Sequence, residues 1–420
     1  MLALPYSEWG YPEYKRILAG IVASPTSEMQ SAMCEAFQSV LSGRPVLPVN
    51  RATTALSLAL ETFKAVRPNR RDVIVPAYIC PSVTRAVTNA GLRCVAVDIG
   101  SDLNISAARV DQAMSSSTLA VVAAHMYGAP AAIAELEQLC RRKDVFLVDD
   151  AAQVLGIDSA RRPLGTFGDV GMISFSQSKT IVTGSHNAGG LLVLNNPELQ
   201  QALHKAWQAL PGARNCLPDI CRFLWLHKWS PWTWTLRYYA TRLLPARAFE
   251  TKTSPSATKI GNLVASLALE QLRTLPERIR GRQRVMEQYY RLVSRYPRIT
   301  FPQYAPSRYL TRIMVVIPGQ QNMNAIRNKL RSSGVQTRSG YPIYNSNAAS
   351  LPWMAMALQP KLIELPSHSK MREAEIARVL ECLDRSLGDK TPEASSVSAA
   401  KPIFVPAAKT PFPVRRGARR

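Results

Sequence analysis

Lys179 and Asp150 are the residues whose types and placement can do chemistry together. Asp150, preceded by Asp149, follows the apolar run Val-Phe-Leu-Val at 145–148. That run is too short for a helix and too apolar for a surface strand, so it is predicted as a buried strand of a parallel sheet. A second apolar run at 171–175 leads through Ser176, Gln177 and Ser178 to Lys179, and a glycine-bearing segment follows. Open α/β sheets bind ligands outside the carboxyl ends of their strands, which is where both residues stand. A lysine amine that can form a Schiff base, with an acid that keeps a ring nitrogen protonated, is what pyridoxal phosphate needs. Either residue alone is ordinary, because most lysines are solvated and most Asp-Asp pairs after a strand are caps or turns.

The elements that must position this pair follow from the apolar pattern. Residues 45–50 read as a short strand, and Leu56, Leu60 and Phe63 recur at helical spacing after it. Thr53 or Thr54 is therefore expected to cap a helix, whose N-terminus is a natural phosphate seat. Residues 72–78 and 94–98 read as strands separated by a helix over 83–90, the alternation of βαβ units. Residues 119–124 form another apolar strand, leading to the turn His125-Met126-Tyr127-Gly128-Ala129-Pro130, and 191–194 one more. A lone histidine at a strand end, such as His125, is more often a hydrogen-bonded structural residue than a catalyst. Beyond residue 256 come a helical pattern over 267–293, a strand at 313–317, a helix over 325–330 and an amphipathic helix ending near Leu387.

The stretch from Asp149 to Lys179 resembles the signature of the DegT/DnrJ/StrS family of sugar aminotransferases, within the fold-type I pyridoxal phosphate enzymes. The matching residues are Asp149, then Asp150-Ala151-Ala152-Gln153, Gly165-Thr166-Phe167-Gly168-Asp169, and Ser174-Phe175 followed by Lys179. The resemblance covers residues 45–200 well and 260–385 more loosely. It implies an α/β fold with a mostly parallel central sheet, flanking helices and a smaller C-terminal α+β domain. It implies pyridoxal 5'-phosphate, with Lys179 as the Schiff-base residue, Asp150 on the ring nitrogen, Gln153 on the ring hydroxyl, and Ser174, Thr53 and Thr54 on the phosphate. Tyr78, His125, Tyr127, Lys259 and Tyr341 are then candidate substrate or ring contacts. The donor implied is an amino acid, usually L-glutamate, and the acceptor a nucleotide-linked keto-sugar for surface polysaccharide or secondary-metabolite synthesis. A homodimer is implied too, with residues near 255–262 reaching across.

Several positions depart from the family pattern. Ala52 stands for a glycine, Cys80 for a ring that stacks on the cofactor, Ala257 and Lys259 for the Asn and Arg of an Asn-x-Arg segment, and Gly340 for the His of a His-Tyr-Pro turn. Relatives that dehydrate sugars carry His in place of the Schiff-base lysine, so Lys179 favours aminotransfer over dehydration. A third reading is a protein that keeps the fold as a regulator or a membrane-docked binding module.

Charge and composition set the outer limits. Of the net charge of +23, residues 390–420 supply +6, from seven Lys or Arg and one Glu. Such an excess favours acidic partners, or is only a solvated surface. No apolar run of 18 residues occurs, and Glu8, Glu13, Lys15 and Arg16 rule out a signal peptide at the start, so a cytoplasmic location is expected. Seven cysteines without a Cys-x-x-Cys pair read as reduced thiols, and no histidine has metal-ligand spacing, so no metal is expected. Trp225, Trp229, Trp232 and Trp234, interleaved with Arg222, Lys228, Arg237, Arg242 and Arg247, could cover the active site, form a subunit contact, or touch the inner face of a membrane through residues 222–247. No specific nucleic-acid contact is expected, because a basic tail is generic. The chain divides into an arm (1–40), a large cofactor-binding domain (41–255) with a Trp/Arg-rich insertion at about 204–255, a linking helix and small domain (256–387), and a disordered basic tail (388–420).

Overall fold

The computed structural model describes residues 2, 4, 8–22, 26–213, 216–227, 256–319, 322–345 and 351–388. In chain order the first elements are α1 (Tyr11–Val22), α2 (Glu28–Val40), β1 (Val46–Val49), α3 (Ala52–Val66), β2 (Asp72–Pro76), α4 (Pro81–Asn89), β3 (Arg93–Val97), α5 (Ala107–Ala113), β4 (Thr118–Ala124) and α6 (Ile133–Arg142). Next come β5 (Phe146–Asp150), a small hairpin of β6 (Asp158–Ser159) and β7 (Arg162–Pro163), β8 (Val170–Ser174), β9 (Gly190–Leu194), α7 (Pro197–Gln208) and α8 (Leu217–His227). The rest are α9 (Asn262–Arg273), α10 (Leu275–Val293), β10 (Ile313–Val316), α11 (Met323–Ser332), β11 (Arg338–Ser339), α12 (Trp353–Leu358), β12 (Leu362–Leu365) and α13 (Glu373–Ser386).

Seven strands form the main sheet in the order β1-β9-β8-β5-β4-β2-β3. The pairs β3–β2, β2–β4, β4–β5 and β5–β8 are parallel, while β9 runs antiparallel to both β8 and β1. Strands β2, β4 and β5 are buried along their whole length, which explains their unbroken apolar runs. From β2 the chain first steps outward to β3 and then returns to place β4 on the other side of β2. The switch point therefore lies between β2 and β4, and the crevice outside their carboxyl ends is where this architecture seats a ligand.

Three expectations are corrected. Helix α3 begins at Ala52 with Arg51 as its N-cap, so Thr53 and Thr54 lie inside the first turn and neither caps it. Arg51 has extended backbone, and the Thr54 hydroxyl donates to Asn50 Oδ1 at 2.8 Å instead of to the helix start. The helical pattern expected over 267–293 is two helices broken at Thr274, because Pro276 is tolerated only in a first turn and so opens α10. β12 was not expected at all. It is the middle strand of a second sheet, β10-β12-β11, and carries Glu364 among Leu362, Ile363 and Leu365.

Two apolar cores result. The larger runs from Trp9 through the main sheet to α9 and the start of α10, including Leu275 and Ile279. The smaller begins at Val285 and Met286 on the same helix and continues through β10, β12 and α13. Helix α10 thus belongs to both, and α9 packs with α1 and α2 on the large unit. Residues 228–255, the side chain of Trp225 and the tail from 389 lie outside the described residues.

Candidate active site

Most of the residues the sequence marked for chemistry stand at the carboxyl edge of the main sheet. β5 ends at Asp150, β8 at Ser174, β4 leads to Tyr127, β2 leads to Tyr78, and β1 delivers Asn50 and the start of α3. Gly190 lets that start approach: a β-carbon there would stand 2.7 Å from the Ala52 backbone nitrogen. The glycine is needed on β9, and Ala52, ordinary helical backbone, carries its β-carbon without conflict.

The two aspartates divide their work. Asp149 is fully buried and accepts from the backbone N–H groups of Gly165 (2.7 Å) and Phe167 (3.0 Å), and pairs with His125 Nε2 at 2.8 Å. His125 Nδ1 accepts from the Ala131 N–H at 2.9 Å, so the imidazole is the neutral Nε2–H tautomer with both nitrogens engaged inside the protein. Through them it fixes the turn after β4 to the end of β5, and only its ring face is left for a substrate or ring contact. Asp150, one position on, faces Lys179. Burial pushes its carboxyl up, and the nearby Lys179 ammonium and the Ala152 N–H (3.1 Å) oppose the rise.

Lys179 is presented by a strained turn. Ser178 before it is fully buried with φ 60, a left-handed conformation that a side chain adopts only when its surroundings enforce it. Here Arg338 reaches the Ser178 hydroxyl at 3.4 Å, Arg282 donates to the Lys179 carbonyl at 3.1 Å, and Thr180 shares a 2.7 Å hydrogen bond with the Tyr309 hydroxyl. The Lys179 amine is pushed down to about 8, first by burial and then by the Arg312 guanidinium; Cys80 and Asp150 pull it back only in part.

Opposite the lysine stands a tyrosine cluster at the switch point. The Tyr78 and Tyr127 hydroxyls are 2.6 Å apart, the Tyr341 N–H donates to the Tyr78 oxygen at 3.1 Å, and the rings of Tyr127 and Tyr341 stack at 5.7 Å. Burial raises all three phenols, Tyr341 to about 12. Cys80 caps α4 with its sulfur 3.1 Å from the Ser82 hydroxyl, close enough to Lys179 and Tyr341 to affect their protonation.

The remaining expected residues are placed as follows. Ser174 Oγ lies 3.1 Å from Ser176 Oγ, and Thr53 is half-buried on the first turn of α3. The Gln153 amide reaches only the Met126 sulfur, at 4.0 Å, and its Oε1 is buried without a partner. The 256–259 segment lies along β1: Asn50 donates to the Ser256 carbonyl and accepts from the Thr258 N–H, and the Lys259 ammonium sits 4.7 Å from the centre of the Trp207 ring. Sequence reasoning missed Arg282, Arg312, Arg338 and Glu364. A lone charge inside the apolar run 362–365, and another at the head of 312–317, were the available signals.

Pyridoxal phosphate fits these residues. An amine held near neutrality, a buried carboxyl beside it, an orphaned buried amide oxygen and a helix start without a side-chain cap match its aldehyde, ring nitrogen, ring hydroxyl and phosphate. Residues 26–384 match the DegT/DnrJ/EryC1/StrS aminotransferase family. The chain belongs to that family. The family's cofactor is pyridoxal phosphate, and this member is an aminotransferase. It is 28% identical over 346 residues to a dTDP-4-dehydro-2,3,6-trideoxy-D-glucose 4-aminotransferase of Saccharopolyspora spinosa, covering 80% of this chain and 82% of that one. It is 25% identical over 370 residues to a GDP-perosamine synthase of Caulobacter vibrioides, covering 84% and 88%. Among solved structures it superposes on the Helicobacter pylori aminotransferase PseC with a TM-score of 0.75 at 18% identity, covering 92% of this chain and 99% of that one. An Escherichia coli GDP-4-keto-6-deoxy-D-mannose-3-dehydratase superposes at 0.71 with 19% identity, covering 92% and 100%. The fold is thus common to both chemistries and does not choose between them.

Proposed function

We propose that the protein moves the amino group of an amino acid, L-glutamate first among them, to the keto group of a nucleotide-activated sugar. The observation that carries this reading is the Lys179 amine, pushed down to about 8 by burial, beside the Asp150 carboxyl at the carboxyl edge of the sheet. A histidine at 179 would have served dehydration instead. The sugar acceptor is supported by the dTDP- and GDP-sugar relatives.

Bound pyridoxal phosphate supplies the electron sink that acidifies the donor's α-hydrogen and carries the amino group between substrates. Asp150 would keep the ring nitrogen protonated, the Gln153 amide would meet the ring hydroxyl, and Ser174 and Thr53, with the start of α3, would hold the phosphate. Thr54 serves that seat only indirectly, since its hydroxyl proton is engaged by Asn50. Once the donor's amine takes its place, Lys179 Nζ is the base that removes the proton from the donor's α-carbon. Its pKa of about 8 leaves far more of the amine unprotonated near neutral pH than an ordinary lysine would. Tyr78, Tyr127 and Tyr341 wall the cleft and exclude water. Family likeness supports a homodimer, tested by sedimentation equilibrium against twice 46.4 kDa. Peripheral association with a membrane, through residues 222–247, is tested by flotation with anionic vesicles.

The deciding experiment is visible absorbance with added cofactor, before and after L-glutamate, with borohydride reduction and peptide mapping. The expected result is a band that glutamate bleaches and a label on Lys179, both absent in Lys179→Ala. A label elsewhere would sink the reading, and cofactor uptake with no donor converted would leave a binding module in its place.

A further inference from the structure

The turn that carries Lys179 is gripped again three residues further on. The side chain of Gln271, on α9, takes the Val182 peptide from both sides, donating to its carbonyl at 2.6 Å and accepting from its N–H at 2.9 Å. A third group reaches the same carbonyl: the indole N–H of Trp9, at 2.5 Å. Trp9 is 5% exposed, and its ring packs against Phe223 of α8, with centres 5.3 Å apart, and edge-on against Tyr14 of α1 at 6.4 Å. Packing thus aims the indole N–H at Val182, so the hydrogen bond does not have to order the ring by itself.

Glu8, the residue before Trp9, acts on the middle of the turn. Arg282 donates to the carbonyls of Lys179 (3.1 Å) and Thr311 (3.0 Å), and Glu8 Oε1 stands 3.2 Å from the same guanidinium. Burial opposes ionisation of Glu8, but Arg282 and then Arg278 outweigh it and hold the carboxyl below its usual range. The Ser369 N–H fixes the same oxygen at 2.9 Å. The arm is anchored on the small core as well. The Leu2 N–H donates to the Gly334 carbonyl (2.8 Å), the Gln336 N–H to the Leu2 carbonyl (2.9 Å), and the Leu4 N–H to Gln336 Oε1 (3.0 Å). That pairing stands just before β11, whose Arg338 reaches the Ser178 hydroxyl. The left-handed backbone of Ser178 persists only where its surroundings enforce it, and the arm supplies or backs a restraint at 178, at 179 and at 182.

We infer that Trp9 and Glu8 are positioning residues for Lys179: the N-terminal arm clamps the turn so that the amine is held where the cofactor's aldehyde must meet it. This rests on the reading of Lys179 as the Schiff-base residue. Trp9 acts through the Val182 carbonyl, and Glu8 through Arg282 and the Lys179 carbonyl. Holding an amine in place raises its effective concentration at the aldehyde, a gain realised only when the bond forms. The arm therefore favours ligands that condense with Lys179 over those that only fill the site.

The test compares two forms of the cofactor on the full-length protein. Pyridoxal phosphate condenses with a lysine amine and releases water, whereas pyridoxamine phosphate offers the same ring and phosphate but no aldehyde. Trp9→Phe, which removes the indole N–H and keeps an aromatic ring, should weaken binding of pyridoxal phosphate about 3- to 10-fold and leave that of pyridoxamine phosphate unchanged. Glu8→Gln, which keeps the shape of the arm without its charge, should show the same selective loss, and it carries the test if Trp9→Phe does not fold. Borohydride trapping at Lys179 should slow in both. Equal losses for the two ligands, as a merely structural arm would give, or no loss in folded variants, would overturn the inference. A wild-type label on Lys179 would leave the aminotransfer reading intact in that event, and a wild-type label elsewhere would sink both.

Discussion

A β-carbon on Gly340 would stand 2.0 Å from the Tyr78 hydroxyl and 3.0 Å from the ring carbon that bears it. The glycine that departs from the family's histidine is therefore matched to Tyr78, which occupies the vacated volume and reaches both Tyr127 and the Tyr341 backbone. Gly340→Ala should overpack this junction and destabilise by about 1–3 kcal/mol in urea titration. Tyr78→Phe, which removes the clashing oxygen, should recover part of that loss, and a double variant no better than Gly340→Ala would refute the pairing. At the same scale, the lowered pKa of Lys179 makes a kinetic prediction for cofactor-free protein. Its amine is free above about pH 8, so reductive methylation at Lys179 should be half-maximal there. An exposed lysine in the same sample should lag by about two pH units. Arg312→Gln removes a neighbouring positive charge and should move the Lys179 midpoint upward.

Helix α10 is the element that ties these residues together. Its Arg282 is 2% exposed, donates to the carbonyls of Thr311 (3.0 Å) and Lys179 (3.1 Å), and pairs with Glu8 of the N-terminal arm at 3.2 Å. Glu8 in turn accepts from the Ser369 N–H at 2.9 Å, and Arg278 pairs with Glu13 one turn earlier on α10. Removing either member strands a buried charge, so Glu8→Ala or Arg282→Met alone should cost about 3–5 kcal/mol, and the double variant much less than the sum. Additive losses in the cycle would argue against a working pair. Little of this was legible in the sequence. The strands of the parallel sheet were, because burial on both faces writes an unbroken apolar run, as at 119–124 and 145–148. Lys179 and Asp150 were, because strand ends fix their edge. Arg282 was not, because on an amphipathic helix a buried arginine is written like a solvated one until the arm that covers it is known. Neither was the role of His125, whose partners Asp149 and Ala131 are brought to it only by the sheet and the turn.

At the scale of the whole molecule, the two halves of the site belong to different cores. Lys179, Asp150, Gln153, Ser174 and Thr53 project from elements of the large core, whereas Arg338 and Glu364 stand on the three-stranded sheet of the small one and Arg312 immediately precedes its strand β10. Tyr127 joins the two through its carbonyl, which accepts from the Thr311 and Arg312 N–H groups, and Gly128 leaves room for that approach. Cofactor and donor should therefore stabilise different parts of the chain. Cofactor at a hundred times its dissociation constant adds about 2.7 kcal/mol to whatever unfolds with its site. In amide hydrogen exchange that protection should fall on β5, β8 and the start of α3, with β10–β12 little changed. Adding α-methyl-L-glutamate, which enters the cleft between the two cores, should then slow exchange in β10, β11 and β12 as well. Slowing of both regions by cofactor alone would mean that the two cores already unfold as one unit, and no further slowing by the donor analogue would mean that the donor does not link them.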